Sequence, residues 1–233
     1  MKVDDAVANA FLREGTTDVF GLLGDSQMKW WAAMSAAGTR MIDARDEGAA
    51  LAMADGWARA TGKVGVCSVT HGPGVSRLAT SLIMGARYRV PLVVHCGTTG
   101  LNRDNAMQFL DQGPLVNATG AGYIEVQRPD YAESAVRQAF YRARKEGRPI
   151  VLSIPIDVAT QECNTSGETY VSSVQMFPGQ QRIRPDVDQL EAAANIIAAC
   201  RKPIILVGRG AMDSSTLPVI ERLGERKIGR AHV

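Results

Sequence analysis

Apolar positions along the chain follow two rhythms. Val3, Val7, Ala10 and Phe11 recur at helical spacing and the run stops at Gly15, which predicts a first helix over 3–14. Residues 63–70, 91–96 and 149–154 are instead short and almost continuously apolar, rich in Val, Ile and Leu, with shorter runs at 18–23 and 39–44. Unbroken apolar character, rather than alternation, suits parallel strands covered on both faces. Helical patterns at 73–88 and 129–146 lie between them. The alternation predicts an α/β fold, a parallel sheet with helices on both faces. Trp30, Trp31 and Met34 lie on one helix after a turn at Gly24-Asp25-Ser26, and read as packing residues rather than a ligand wall.

The stretch 45–74, ARDEGAALAMADGWARATGKVGVCSVTHGPG, carries the candidate chemistry. Placed on a wheel at about 100° per residue, 47–61 puts Ala50, Leu51, Met53, Ala54, Trp57 and Ala58 on one arc, with Asp55 and Arg59 at its edge. Glu47 falls inside the apolar arc. Acidic residues favour helix N-termini, which accounts for an exposed glutamate there. A glutamate aimed at a core is costly without a partner, so this position asks for one. The next strand ends in Thr70-His71-Gly72-Pro73-Gly74, where glycine lets backbone approach a ligand and Pro73 suits the first position of a helix.

Composition narrows the class. A chain of 233 residues, 45% hydrophobic, supports one good core and part of a second. A net charge of +2 with interspersed signs leaves no basic footprint for nucleic acid. Arg137, Arg142, Arg144, Lys145 and Arg148 are interleaved with Glu133 and Glu146 and read as a solvated helix face. The first residues carry Asp4 and Asp5 and no apolar stretch of signal-peptide type, and no run reaches membrane-spanning length. Cys67, Cys96, Cys163 and Cys200 are scattered without a CxxC pair and read as reduced thiols of a cytoplasmic protein. His95 reads as a satisfied core histidine.

Beyond Asp157 the character changes. Residues 160–184 are rich in Ser, Thr, Gln and Gly and read as a linker. An amphipathic helix over 186–200 with Leu190, Ala193, Ala194 and Ile197 on one side, a buried strand over 203–208 and a helix over 216–223 open a second domain.

The block Glu47-Gly48-Ala49-Ala50, the run Ala54-Asp55-Gly56-Trp57-Ala58-Arg59-Ala60-Thr61-Gly62 and the turn Gly72-Pro73-Gly74 resemble the pyrimidine-binding domain of thiamine-diphosphate enzymes of acetolactate synthase type. Val19-Phe20-Gly21, Pro91-Leu92-Val93-Val94 and Ile154-Pro155-Ile156-Asp157-Val158 fit the same family in the same order. The resemblance implies a pyrimidine-binding domain over 1–160, a linker over 161–185 and a truncated start of a Rossmann-like central domain over 186–227. The final IGRAHV, 228–233, matches nothing in that family and reads as a translated sequencing adapter, a non-native tail excluded from site reasoning.

The resemblance also implies roles. Glu47 takes the place of the catalytic glutamate that hydrogen-bonds the cofactor's pyrimidine ring, with Gly24, Gly72, Pro73 and Gly74 as cofactor-binding positions. His71, Met107 and Gln108 fall where substrate is met. The cofactor is thiamine diphosphate, its diphosphate held through Mg²⁺ by a separate domain marked by Gly-Asp-Gly and a later Asn. Neither the motif nor metal ligands are expected in this chain. It therefore holds half a site, inactive alone, within a homodimer or homotetramer acting on a small 2-oxoacid, with no nucleic-acid or membrane partner.

Departures shape the substrate reading. Asp46 stands where many relatives carry His, His71 where acetolactate synthases carry Ser, and Met107 where they carry Phe in Ala-Phe-Gln. Ile156 replaces a Lys, and Arg209 within Gly208-Arg209-Gly210 argues against FAD. Three readings follow: an acetolactate-synthase-like decarboxylase or carboligase, a decarboxylase of aryl or branched 2-oxoacids or another lyase of this fold, and a free-standing nucleotide-binding or interaction module.

Overall fold

A computed structural model of the chain describes residues 1–101, 106–163, 170–177, 184–211 and 215–227. These fall into two compact units, Met1–Gly179 and Gln180–Val233. The tail at 228–233 lies outside the described residues.

The first unit alternates as expected. Helix α1 (Val3–Arg13) leads to strand β1 (Asp18–Gly21), α2 (Met28–Ala36), β2 (Arg40–Asp43), α3 (Glu47–Thr61) and β3 (Gly65–Val69). Then come α4 (Pro73–Ser76), α5 (Ala79–Arg87), β4 (Leu92–Thr98), α6 (Gln112–Ala118), β5 (Gly122–Glu125) and α7 (Ala132–Arg142). Strand β6 (Pro149–Pro155) and short helices α8 (Ile156–Ala159) and α9 (Ser173–Met176) complete it. All neighbouring strands pair in parallel, in the order β2-β1-β3-β4-β6-β5.

Alternate strand residues feed two cores. Val66, Val93, Ile150 and Leu152 pack with Phe11, Trp30, Met34 and Phe140 from α1, α2 and α7. Cys67, Val69, Val94 and Val151 pack with Ala50, Leu51, Ala54, Val75 and Leu82 from α3, α4 and α5. This two-faced burial explains the unbroken apolar runs. It also removes the thiols from water: burial pushes Cys96 up to about 12 and Cys67 upward too. His95 is a core residue in the body of β4, stacked on Trp30 at 4.1 Å, and burial lowers it to about 3. It is not fully satisfied as expected, because its Nε2 has no hydrogen-bond partner among the described residues.

Several boundaries differ for local reasons. The helix expected over 73–88 is broken after Ser76, whose hydroxyl donates to the Pro73 carbonyl at 2.7 Å and competes with the helical ladder. The helix expected over 129–146 has a 3₁₀ turn before it and a π turn at Ala143–Gly147 after it. Strand β5 was not foreseen, since GYIE is too short to display a period.

Residues 170–177, inside the stretch read as linker, belong to the first unit. The fully buried Glu14 carboxylate accepts from the Tyr170 hydroxyl at 2.8 Å and the Ser173 N–H at 2.7 Å, and pairs with Arg144 at 3.3 Å. The Phe177 ring lies tilted against Tyr141, with centroids 4.2 Å apart.

In the second unit α10 (Val187–Ala199) begins at an Asp186 cap and α11 covers Leu217–Lys227. The strand expected over 203–208 is absent. Ile204 and Leu206 are 94% and 96% exposed, in a stretch with no hydrogen-bonded strand beside it. A parallel strand needs neighbours, and the described part of this unit supplies none. Leu190 and Ile197 on α10 are exposed for the same reason.

Candidate functional site

Strand order reverses between β1 and β3, because the chain passes outward to β2 and returns. The loops leaving those two strands diverge at the sheet's carboxyl edge, where open α/β sheets bind ligands. Gly24 lets them touch. A Cβ there would lie 2.5 Å from Thr70 Cβ, so only a glycine allows the loop after β1 to close on the end of β3. The Thr70 hydroxyl donates to Asp25 Oδ1 at 3.1 Å and lies 3.2 Å from Ser26 Oγ.

The turn after β3 is fixed from below. Gly72 adopts φ +60° and ψ −107°, and a Cβ on it would fall 2.0 Å from the Gln108 carbonyl oxygen. Its N–H donates to Gln112 Oε1 at 2.9 Å. The Gln112 amide donates in turn to the Gly97 carbonyl at 3.1 Å and to Ser153 Oγ at 3.0 Å. One buried side chain thus ties the turn to the ends of β4 and β6. Pro73 takes the first position of α4, as its fixed φ allows.

At the Gly74 end of the turn stands a charged cluster. Asp46 caps α3 by accepting from the Ala49 N–H at 3.2 Å and pairs with Arg77, whose hydrogen bond holds its carboxyl below the usual range. Glu47 opens α3 beside it. Its Oε1 lies 3.5 Å from where a Cβ on Gly74 would stand, and its Oε2 lies 4.0 Å from Arg77 Nε. The Glu47 side chain is 16% exposed, so it faces inward yet is open to a ligand rather than sealed in the core. Met53, placed on the same arc by the sequence, is exposed. Residues Ala50, Leu51, Ala54 and Ala58 form the actual contact stripe, and Trp57 is half-buried.

At the His71 end lies a cavity of about 540 Å³, lined by Asp25, His71, Thr99, Gly100, Met107, Gln108 and Asp157 among others. His71 is buried, with its Nδ1 unpartnered among the described residues and 4.0 Å from Asp25 Oδ1. Burial lowers its pKa, and the Asp25 charge opposes that only in part. Asp157 accepts from the Leu101 and Val158 N–H groups, both at 3.0 Å, which sets the loop forming one cavity wall.

The expected site is therefore two adjoining features. Glu47, Gly72, Pro73 and Gly74 come together; His71, Met107 and Gln108 line the cavity, and Glu47 is not among its walls. Gly24 braces Thr70. Arg77, Gln112 and Ser153 were missed as site residues, and nothing in their local sequence marks them; Asp157 stood in the Ile154–Val158 block without being read as a site residue. Asp25 carried a faint signal, as part of a polar turn following a strand. Among the described residues no three His, Cys, Asp or Glu side chains converge as a metal site, and no helix is long and apolar enough to cross a membrane.

Residues 1–115 match the family described as thiamine pyrophosphate enzyme, N-terminal TPP binding domain. The chain is 30% identical over 213 residues to the probable 2-ketoarginine decarboxylase AruI of Pseudomonas aeruginosa, covering 89% of this chain and 37% of that protein. It is 29% identical over 229 residues to a probable acetolactate synthase large subunit of Methanocaldococcus jannaschii, covering 97% of this chain and 39% of the relative. A sulfoacetaldehyde acetyltransferase of Castellaniella defragrans is 27% identical over 229 residues, with 97% and 37% covered. Among solved structures, the thiamine diphosphate-dependent 4-hydroxybenzoylformate decarboxylase of Rhodococcus jostii RHA1 superposes with a TM-score of 0.74 at 20% identity, over 88% of this chain and 38% of that one. That likeness speaks to the fold. The chain thus spans less than two-fifths of the length of these relatives.

Proposed function

We propose, from the premise that residues 1–115 belong to the N-terminal TPP-binding domain family of thiamine pyrophosphate enzymes, that this chain supplies the pyrimidine-binding half of a thiamine diphosphate site. The whole protein would be a decarboxylase or carboligase of a small 2-oxoacid. The observation that carries this reading is the placement of the Glu47 carboxylate against the Gly72–Gly74 turn, its Oε1 3.5 Å from where a Cβ on Gly74 would stand.

Bound thiamine diphosphate supplies carbanion stabilisation next to a former carbonyl. The chain's own groups do the rest. Glu47 holds a proton at the pyrimidine ring nitrogen and so fixes the ring's orientation and basicity. The turn, its Gly72 kept in an uncommon conformation by Gln112, carries no Cβ at Gly72 or Gly74, so backbone can lie against the ring there. Arg77 gives the Glu47 carboxylate a counter-charge before a ring is present. We assign the diphosphate and Mg²⁺ to a separate domain, met in a homodimer or homotetramer, and read 186–227 as the opening of a central domain after the linker. The Arg209 substitution leaves flavin out of the proposal, and a cytoplasmic setting is part of it.

A second reading, another lyase of this fold such as an aryl or branched 2-oxoacid decarboxylase, is favoured by one observation. Met107 and His71 both line the cavity where acetolactate synthases carry Phe and Ser.

The test is Glu47→Gln in the complete enzyme. Turnover should fall by about two orders of magnitude or more with folding intact; turnover within a few-fold of wild type removes Glu47 from the role. On the 233-residue chain alone, calorimetric titration with thiamine diphosphate and Mg²⁺ should give only weak binding and no thermal protection. Tight, metal-dependent binding would overturn the half-site reading. Titration with the isolated aminopyrimidine should perturb the Gly72 and Gly74 amides in the wild-type chain and not in Glu47→Gln.

A further inference from the structure

Two consecutive carboxylates, Asp46 and Glu47, open helix α3, and the Arg77 guanidinium stands between them. Close backbone packing brings that cation there. A Cβ on Gly48 would lie 3.1 Å from the Arg77 carbonyl oxygen and 3.0 Å from Asp46 Oδ1, so the start of α3 and the end of α4 meet at a residue that has none. The Ser81 hydroxyl donates to the Gly48 carbonyl at 2.9 Å and ties α5 to the same place. The Arg77 backbone is thus fixed, while its side chain is 63% exposed and can turn to either acid.

The two acids share it unequally. Arg77 donates a hydrogen bond to Asp46 Oδ2, whereas its Nε stays 4.0 Å from Glu47 Oε2, beyond hydrogen-bond reach. Asp46 is itself anchored, because its other oxygen, Oδ1, accepts from the Ala49 N–H as the cap of α3. It therefore holds the guanidinium at a set place.

We propose that Asp46 is a positioning residue that keeps Arg77 off the Glu47 carboxylate and so leaves Glu47 free to share a proton with a ring nitrogen; the inference rests on the reading of Glu47 as the partner of the cofactor's pyrimidine. Charge counting supports it. With Asp46 in place Arg77 is matched, and Glu47 is the acid left over. A ring nitrogen and one proton answer that charge, and no other group need change its ionisation. Without the Asp46 charge, the guanidinium would turn to Glu47 and make a charge-assisted hydrogen bond there. A ring would then have to displace it, and a cation so placed favours an ionised carboxylate over one that holds a proton. Facing Glu47 are Asp46 at the cap of its own helix, Arg77 just past α4, and Cys67 on β3, whose thiol burial keeps neutral. Arg77 is the group among these whose charge competes with a ring.

The test is the aminopyrimidine titration of the full 233-residue chain, read on the Gly72 and Gly74 amides. Asp46→Asn keeps the cap, since Asn serves there as well as Asp, so the unfolding midpoint should stay close to that of wild type. Its affinity for the ring at neutral pH should fall about fivefold, the upper end of what a partly exposed ion pair contributes. The gap should narrow in high salt, and also as pH falls toward the ordinary carboxylate range, where a protonated Glu47 no longer draws the guanidinium. Adding Arg77→Met to Asp46→Asn should restore binding to within about twofold of wild type, which a damaged cap would not allow. A readout without ligand is the Arg77 Nε–H resonance. It should move on Glu47→Gln in the Asp46→Asn background and hardly at all in the wild-type one.

Asp46→Asn binding within about twofold of wild type overturns the inference. So does a double variant as weak as Asp46→Asn, or an Arg77 resonance equally sensitive to Glu47→Gln in both backgrounds. A wild-type chain whose Gly72 and Gly74 amides ignore the ring overturns instead the reading of Glu47, and the Arg77 resonance then still decides whether Asp46 holds the cation.

Discussion

The two ends of the Gly72–Gly74 turn are built from different materials. At the Gly72 end the hydrogen bonds that hold the turn are neutral and buried: Gln112 joins Gly72, Gly97 and Ser153, and the Gln108 carbonyl packs over Gly72. At the Gly74 end they are charged and open, with Arg77 63% exposed between Asp46 and Glu47. Buried hydrogen bonds hold a strained backbone because water cannot compete for them, whereas an exposed ion pair is readily exchanged. One end fixes the turn, and the other leaves a carboxylate free to take a partner.

The sharpest way to break this contrast is Gln112→Leu. The side-chain volume is nearly kept, but the Gly72 N–H loses its acceptor and Ser153 a donor, in a site that water does not reach. We expect a loss of about 3 kcal/mol, the cost of buried groups left unpaired, read as a lower urea midpoint at unchanged m. The aminopyrimidine response should fall with it, because Gly72 would no longer be held at positive φ. A change below about 0.5 kcal/mol would mean that the turn keeps its shape without the amide.

That residue also marks where sequence reasoning stops. Helix α3 was legible from first to last residue because Asp46, the apolar spacing and Gly62 in the left-handed region all agree. The parallel sheet was legible because strands buried on both faces carry unbroken apolar runs. Glu47 stood out as a charge on an apolar arc. Gln112, by contrast, is one amide in a short helix whose partners lie 15, 40 and 41 residues away, and no local pattern encodes such a meeting. The failed strand at 203–208 teaches the converse. An apolar run states what a segment would bury, and whether it does so depends on neighbours elsewhere in the chain.

A milder perturbation separates the two ends by pH. His71 has a lowered pKa, so the folded chain resists a proton that the unfolded chain accepts below about 6.5. Stability from this source is present above that pH and is lost as pH falls through the window toward the lowered value. His95, lowered to about 3, acts in the same sense; Asp4, buried and raised to about 6, acts in the opposite sense, its folded form holding the proton longer. From pH 7 to 5 the wild-type chain should lose stability, and His71→Gln should lose less, measured as unfolding midpoints across that range. An unchanged slope would mean that water reaches the His71 ring, against the burial that lowers its pKa.

The smallest effect belongs to the open end. Arg77→Met removes the partner of Asp46 and the nearest charge to Glu47, yet Asp46 keeps its cap on the Ala49 N–H. Exposed pairs of this kind contribute little to stability and are screened by salt. The unfolding midpoint at neutral pH should therefore stay within error of wild type, in low and in high salt. Below the ordinary carboxylate range the variant and wild type should converge further, since Asp46 is held below its usual range by Arg77 and that contribution is lost once the carboxyl is protonated. Aminopyrimidine binding is the informative readout. It should become less dependent on salt, because the cation that competes for Glu47 is gone while the carboxylate and the bare Gly74 edge remain. A midpoint shift as large as that of Gln112→Leu would place the structural support of the turn at both ends, and Glu47 would then be part of a scaffold rather than a group left free for a ligand.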